Sequence, residues 1–100
     1  MWILLFFDLP TRTAAHRRAY KEFRKELKKQ HFRRLQYSVY ARHVAAKNSA
    51  HITTQMCELF PKRGDMRIIR IADQQYHQSI HIHHSQRIAV HLSLVPLLTW

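Results

Sequence analysis

Ile3-Leu4-Leu5-Phe6-Phe7 is an unbroken run of five large apolar residues, closed by Asp8-Leu9-Pro10. A short continuous apolar run bounded by a turn signal reads as a buried strand. Pro10 has no N–H to give to a ladder, so the strand ends near Asp8. One carboxylate therefore stands at the tip of a rigid central strand. It is the first acid in the chain, the next being Glu22, and the segment that follows is crowded with Lys and Arg. A lone carboxylate beside a basic surface has the makings of a metal-assisted phosphate site. The plainer role for Asp8 is to brace the turn, paired with Arg12.

The 100 residues make one domain with a small core. A formal charge of +11 points to a polyanionic partner, nucleic acid first and an anionic membrane surface second. Cys57 is the sole cysteine, so no intrachain disulfide forms, which fits a cytoplasmic location. The first seven residues lack the basic leader and the longer apolar region of a signal peptide. No stretch is apolar for long enough to span a bilayer. With one glycine in the chain, turns must fall to Asn, Asp, Ser, Gln or His.

Beyond Pro10, Thr11 or Thr13 can cap a helix running to about Gln30. Ala19, Tyr20, Phe23 and Leu27 share one face of it; Arg17, Lys21, Arg24 and Lys28 share the opposite face, flanked by Arg18, Lys25 and Lys29. Glu22 and Glu26 are too few to neutralise those cations, so the basic face is suited to phosphate contact. His31 to His43 reads as two strands with a turn near Gln36 to Ser38. Arg33, Arg34 and Arg42 interleave there with Tyr37 and Tyr40, a pattern that serves either nucleic-acid stacking or a half-buried core. A second helix spans about Asn48 to Phe60 with Ile52, Met56, Leu59 and Phe60 on its apolar face, and Pro61 ends it. Lys62-Arg63-Gly64-Asp65 is a turn, and Met66 to Ala72 alternates as a strand. Asp73 to Tyr76 reads as a turn or one helical turn. Ile80 to His83 and Arg87 to Leu94 supply further strand material.

Strand-helix-strand-strand-helix-strand in one small α+β domain gives a ferredoxin-like β-α-β-β-α-β sandwich, helices on one face of an antiparallel sheet, with an extra C-terminal strand. Residues 1–78 form this core. Residues 79–100 form a tail whose Ile82, Ile88, Val90, Leu92 and Leu94 are too apolar to leave in water, so it covers the open sheet in its own subunit or in a partner.

Phe6-Phe7-Asp8-Leu9-Pro10-Thr11, then Arg18-Ala19-Tyr20-Lys21-Glu22-Phe23-Arg24-Lys25, then Leu35-Gln36-Tyr37-Ser38-Val39-Tyr40 resembles the second CRISPR-associated protein family, the small nuclease-like partner of the CRISPR integrase. Pro61-Lys62-Arg63-Gly64 and Asp73-Gln74-Gln75-Tyr76 extend the likeness over about residues 2 to 80, closest to members of single-effector, Cas-nine-type systems. The resemblance implies a ferredoxin-like homodimer. It matches Asp8 to the family's metal-binding aspartate, Arg34 and Tyr40 to a basic and an aromatic position near the site, and Arg17 and Arg18 to its basic helix. It also implies magnesium-dependent endonuclease activity on RNA or DNA, or a scaffold that grips double-stranded spacer DNA beside the integrase. The chain departs from the family in lacking a glycine after helix one, where Gln30-His31 must turn, and in its histidine-rich, apolar C-terminus.

One Asp holds magnesium poorly, because the ion demands octahedral oxygen coordination. A two-fold axis that brings Asp8 to its symmetry mate lets one Mg2+ be shared, with phosphate oxygens and waters completing its shell. The nucleic-acid surface expected around it is Arg17, Arg18, Lys21, Arg24, Lys28, Arg34 and Tyr40. No general base is evident in the strand-one motif. His81 and His83, on one face of a strand, are a rival site for zinc or nickel, but with no cysteine or carboxylate close by they read better as a polar strand face. A free-standing toxin-like ribonuclease and a plain RNA-binding module are the alternatives to a role in spacer acquisition.

Overall fold

The computed structural model describes residues 1–88. Strand β1 (Trp2–Asp8) is followed by helix α1 (Ala14–Lys29), the β2–β3 hairpin (Arg33–Gln36 and Val39–His43), a short 3-10 turn, helix α2 (Ser49–Leu59), strand β4 (Asp65–Ile71) and helix α3 (Asp73–His77). A small hairpin, β5 (His81–His83) and β6 (Gln86–Ile88), closes the described chain. The four-stranded sheet has the order β2-β3-β1-β4, and every neighbouring pair is antiparallel. That order, with α1 and α2 packed on one face, is the ferredoxin-like sandwich expected from the sequence.

Alternation along β1 divides the protein into two sides. Ile3, Leu5 and Phe7 point into the core with Tyr20, Phe23 and Leu27 of α1, Ile52 and Met56 of α2, Phe32 and Tyr40. Met66 and Ile68 of β4 pack against the edge of this cluster. Phe7 sits at its centre, edge-on to Phe23 at 5.1 Å and near-parallel to Tyr40 at 5.7 Å. Leu5 and Leu27 are both fully buried, so truncating either to Ala costs about 2–5 kcal/mol. Trp2, Leu4, Phe6 and Asp8 point to the opposite face. There Trp2, Ala41 and Tyr76 form a second buried cluster, joined by Leu4, Leu35 and Ile71. Helix α3 covers this end, with the Tyr76 ring stacked 4.0 Å from Trp2.

Asp73, the first residue of α3, holds the N-terminal ammonium of Met1 at 2.6 Å and His43 Nε2 at 3.0 Å. The hydrogen bond from the ammonium group, then that from His43, keeps its carboxyl below the usual range. These contacts fix α3 over one end of the sheet only. Toward the Asp8 end no described element covers the same face: Phe6 is 36% and Ile69 45% exposed.

The single glycine explains how the turns are made. Among the described residues, positive φ occurs at His31, Ser38, His84 and Ser85, and not at Gly64. Gly64 is needed for close approach instead, since a β-carbon there would collide with the Leu9 side chain and the Phe60 ring. Helix α1 begins at Thr13, whose hydroxyl accepts the His16 N–H at 3.0 Å. It ends with His31 at φ 65°, the His31 N–H donating to the Lys28 carbonyl and the Phe32 N–H to the Leu27 carbonyl. This is a Schellman motif with histidine in the left-handed position where glycine is preferred.

The extra C-terminal strand material pairs with itself, not with the main sheet, in a hairpin turned by His84 and Ser85. Ile80 and Ile82 stand 65% and 62% exposed on it. The strand expected from Arg87 to Leu94, and Pro96 as its end, fall largely or wholly outside the described residues. So does most of the tail expected to cover the sheet.

Left-handed backbone at a non-glycine residue costs roughly 1 kcal/mol or more. His31→Gly is therefore expected to stabilise the protein by about 1 kcal/mol, raising the thermal midpoint by several degrees for a chain of this size. Circular dichroism melting of the two proteins checks this.

Candidate nucleic-acid interface

Asp8 is exposed and forms no side-chain hydrogen bond or ion pair with the described residues. The turn-bracing pair with Arg12 is absent. Chain geometry puts Asp8 where it is: Leu9, of the same parity as Phe7, dives into the core at 7% exposure, and Pro10 ends the ladder. The last β1–β4 pair in the register is Asp8 with Asp65. Directly opposed residues project from the same side of a sheet, so the two carboxylates are neighbours on the uncovered face. Asp65 is exposed as well, and the exposed Lys62 and Arg63 lie in the turn just before it.

Sequence reading had missed Asp65. Its relation to Asp8 depends on strand register, which cannot be counted until β4 is known to pair with β1. The signal available was Gly64-Asp65 at the start of an alternating strand.

The expected basic residues of α1 lie on its outer surface. Arg17, Arg18, Lys21, Arg24 and Lys28 are all exposed, as are Lys25 and Lys29. Among the described residues none of these cations makes an ion pair. Glu26 instead accepts a hydrogen bond from Gln30 Nε2 at 3.3 Å. Arg17 differs from the rest in turning back on its own loop, one guanidinium nitrogen donating to the carbonyls of Thr11 and Arg12 at 3.1 and 3.3 Å. Six outward cations over a 16-residue helix form a positive strip that the helix's two acids, Glu22 and Glu26, do not neutralise and with which they form no ion pair.

Two predicted site residues sit elsewhere than beside Asp8. Arg34 is directly opposite Tyr40 in the β2–β3 register, and Tyr40 points into the helix-covered core at 6% exposure. Both are therefore on the side of the sheet away from Asp8. A ring so buried packs against Phe7 and has no free face for a base. The exposed aromatic of this segment is Tyr37, 67% accessible at the β2–β3 turn and stacked on Tyr20 at 6.0 Å. The Tyr20 hydroxyl holds the Tyr37 phenol above its ordinary value, by hydrogen bonding first, while Arg24 and Arg34 pull it down.

His81 and His83 do share a strand face, with ring centroids 6.3 Å apart, and His83 lies 4.1 Å from His84. Among the described residues, however, no three His, Cys, Asp or Glu side chains are placed to hold a metal ion. This applies to Asp8 and Asp65 too: one chain offers two carboxylates, and an octahedral cation needs more oxygens than they supply. The donor set fits magnesium in chemistry, being all oxygen, and falls short in number unless a second copy adds its own. No helix among the described residues is long and apolar enough to cross a membrane.

A model of the family described as CRISPR associated protein Cas2 matches residues 1–79. A protein of Parvibaculum lavamentivorans called CRISPR-associated endoribonuclease Cas2 is 42% identical over 77 residues, 76% of each chain. Its namesake in Flavobacterium psychrophilum is 38% identical over 77 residues, 76% of this chain and 67% of that one. That of Streptococcus mutans is 34% identical over 84 residues, 82% of this chain and 76% of that one. A crystal structure of Streptococcus pyogenes Cas2 superposes with a TM-score of 0.56 at 20% identity, covering 81% of this chain and all of that one. At that identity the likeness establishes the fold.

If the α1 strip contacts phosphates, changing Lys21, Arg24 and Lys28 together to Glu should leave a folded protein with greatly weakened duplex binding. Each lost contact should reduce the slope of log affinity against log salt by about one. Fluorescence anisotropy across a salt series checks this, and an unchanged slope removes the helix from the interface.

Proposed function

Given that the chain belongs to the CRISPR associated protein Cas2 family, we propose that it works as a homodimer that binds duplex nucleic acid and helps the CRISPR integrase take up new spacers. Weak magnesium-dependent phosphodiester cleavage centred on Asp8 accompanies this role. The observation that carries the reading is an exposed, unpaired Asp8 beside Asp65 on a sheet face that no described element covers at this end, bordered by Phe6 and Ile69 with Arg67 between them. An apolar surface of this kind is suited to a second copy of the chain. In a symmetric pair the same patch meets itself, so residues near the axis are doubled. Asp8 near that axis would face its mate, so the pair doubles the carboxylate oxygens that one chain offers at that strand end.

The Asp8 pair would hold one shared magnesium ion, which when bound neutralises phosphate charge and lowers the pKa of a coordinated water. The chain's own groups do the rest. Lys62, Arg63 and the α1 cations draw and align the polyanion. Asp65 would supply the proton acceptor that the strand-one motif lacks: its carboxylate takes a proton from the attacking water as the new P–O bond forms, while the P–O bond to the departing sugar oxygen breaks and that oxygen takes a proton from solvent. The relatives' name, endoribonuclease, favours RNA as the strand that is cut. The scaffold role needs none of this chemistry, only the basic helices of two subunits along one duplex. The location consistent with such partners is the cytoplasm.

Asp8→Ala should keep the fold, because an exposed side chain at a strand end contributes little burial. Divalent-dependent cleavage should drop to background, since the dimer loses both copies at once. Duplex affinity should hold or rise as a negative charge leaves the phosphate path. Spacer acquisition in cells that persists without cleavage marks a scaffold; acquisition lost while duplex binding survives marks a requirement for Asp8 chemistry. Cleavage surviving in rigorously purified Asp8→Ala contradicts the site.

A further inference from the structure

The β2–β3 turn carries a feature that the Asp8 chemistry does not use. Tyr37 and Ser38 form its two-residue loop between the paired Gln36 and Val39, and Ser38 takes φ 62°. This turn holds the Tyr37 ring 67% exposed. One side of the ring lies against Tyr20, with centroids 6.0 Å and planes 22° apart. Tyr20 is itself fixed. It is buried, its hydroxyl is 3.2 Å from Ser38 Oγ, and its ring tilts against Phe7 at 6.1 Å. Tyr37 is thus the outer member of a stack rooted in the core.

Two cations flank it. The Arg24 guanidinium lies 5.9 Å from the Tyr20 ring centroid, and both Arg24 and Arg34 act electrostatically on the Tyr37 phenol. Neither makes an ion pair among the described residues, and the buried Nε of Arg34 has no hydrogen-bond partner there. The turn also abuts the carboxylate strand, because the Phe7 N–H donates to the Ser38 carbonyl at 3.1 Å. The exposed ring therefore stands at the Asp8 end of the sheet.

We infer that Tyr37 is a stacking platform for an unpaired nucleobase, with Arg24 and Arg34 taking the adjoining phosphates. This rests on the nucleic-acid reading above and adds a demand to it: the ligand must present single-stranded nucleotides at this end of the sheet. A paired base hides its faces in its own duplex, whereas an unpaired base offers a free one. Stacking on an aromatic ring is tolerant of sequence, because every base has such a face. A ring already backed by Tyr20 loses little freedom on binding, which favours Tyr37 over a swinging side chain. The tyrosine stays neutral near phosphate, because its phenol is raised from an already high value.

Three fluorescent duplexes test the inference on the full-length chain: blunt, carrying a short single-stranded overhang, and carrying the same overhang with abasic sugars. The wild type should bind the base-bearing overhang about tenfold more tightly than the abasic one. Tyr37→Ala should bind both equally, with its blunt-duplex affinity unchanged and its thermal midpoint lowered by no more than several degrees through loss of the Tyr20 stack. Tyr37→Phe should retain the preference, since it keeps the ring. A preference that survives in Tyr37→Ala, or is missing from the wild type, overturns the platform while leaving duplex binding in place. Absence of salt-dependent binding to all three duplexes overturns the nucleic-acid reading and the platform with it.

Discussion

Strand β1 is hydrogen-bonded along both edges, to β3 and to β4, so its side chains can leave the sheet in only two directions. One direction is filled by α1 and α2, and Ile3, Leu5 and Phe7 supply the core on that side. The other is filled by α3 at the Trp2 end alone. Slipping the register by a single residue would bury Phe6 and Asp8 and expose Phe7 and Leu5. A carboxylate without a partner is costly to bury, and Phe7 is the residue around which the aromatic core is arranged. Hydrophobic burial on one face thereby holds Asp8 on the other.

The charges on the two sides oppose each other. The outer surface of α1 presents cations with no internal partners, and the uncovered sheet end presents Asp8 and Asp65 side by side. Like charges directly opposed across two strands are destabilising. Arg67, opposite Phe6, is a cation on that face, and neither acid makes an ion pair with it, so both surfaces favour an external counter-charge: a polyanion along α1, a cation at the carboxylates. A formal charge of +11 keeps the chain soluble by itself and speeds its association with a polyanion.

Local signals were legible in the sequence because each depends on residues close in the chain. Pro10 ended β1, one of the two threonines offered as a cap, Thr13, holds the start of α1, and the facing of Tyr20, Phe23 and Leu27 followed from helical spacing. The absence of glycine after α1 put the turn on Gln30-His31, and the structure makes it with His31 at φ 65°. Pairwise facts across strands were not legible. Asp65 joins Asp8 through register alone, and Arg34 leaves Asp8 for the other face by the same rule. The pair Tyr37 and Tyr40 shows the limit well. Composition gave both the same standing, and the bulge between Arg34 and Gln36 together with the tight turn sends one into the core and the other into solvent. The histidines of β5 do lie together as alternation requires, yet spacing could not show that no third ligand is placed to complete a metal site among the described residues.

The central claim is that Asp8 acts as one half of a doubled site on a self-pairing sheet face. Titrating the purified protein with manganese, read by electron paramagnetic resonance alongside light scattering for the oligomeric state, tests it most directly. The account predicts one bound ion for every two chains, on a dimer, and loss of that ion in Asp8→Asn with the dimer intact. One ion per chain, or the same binding in Asp8→Asn, would contradict it.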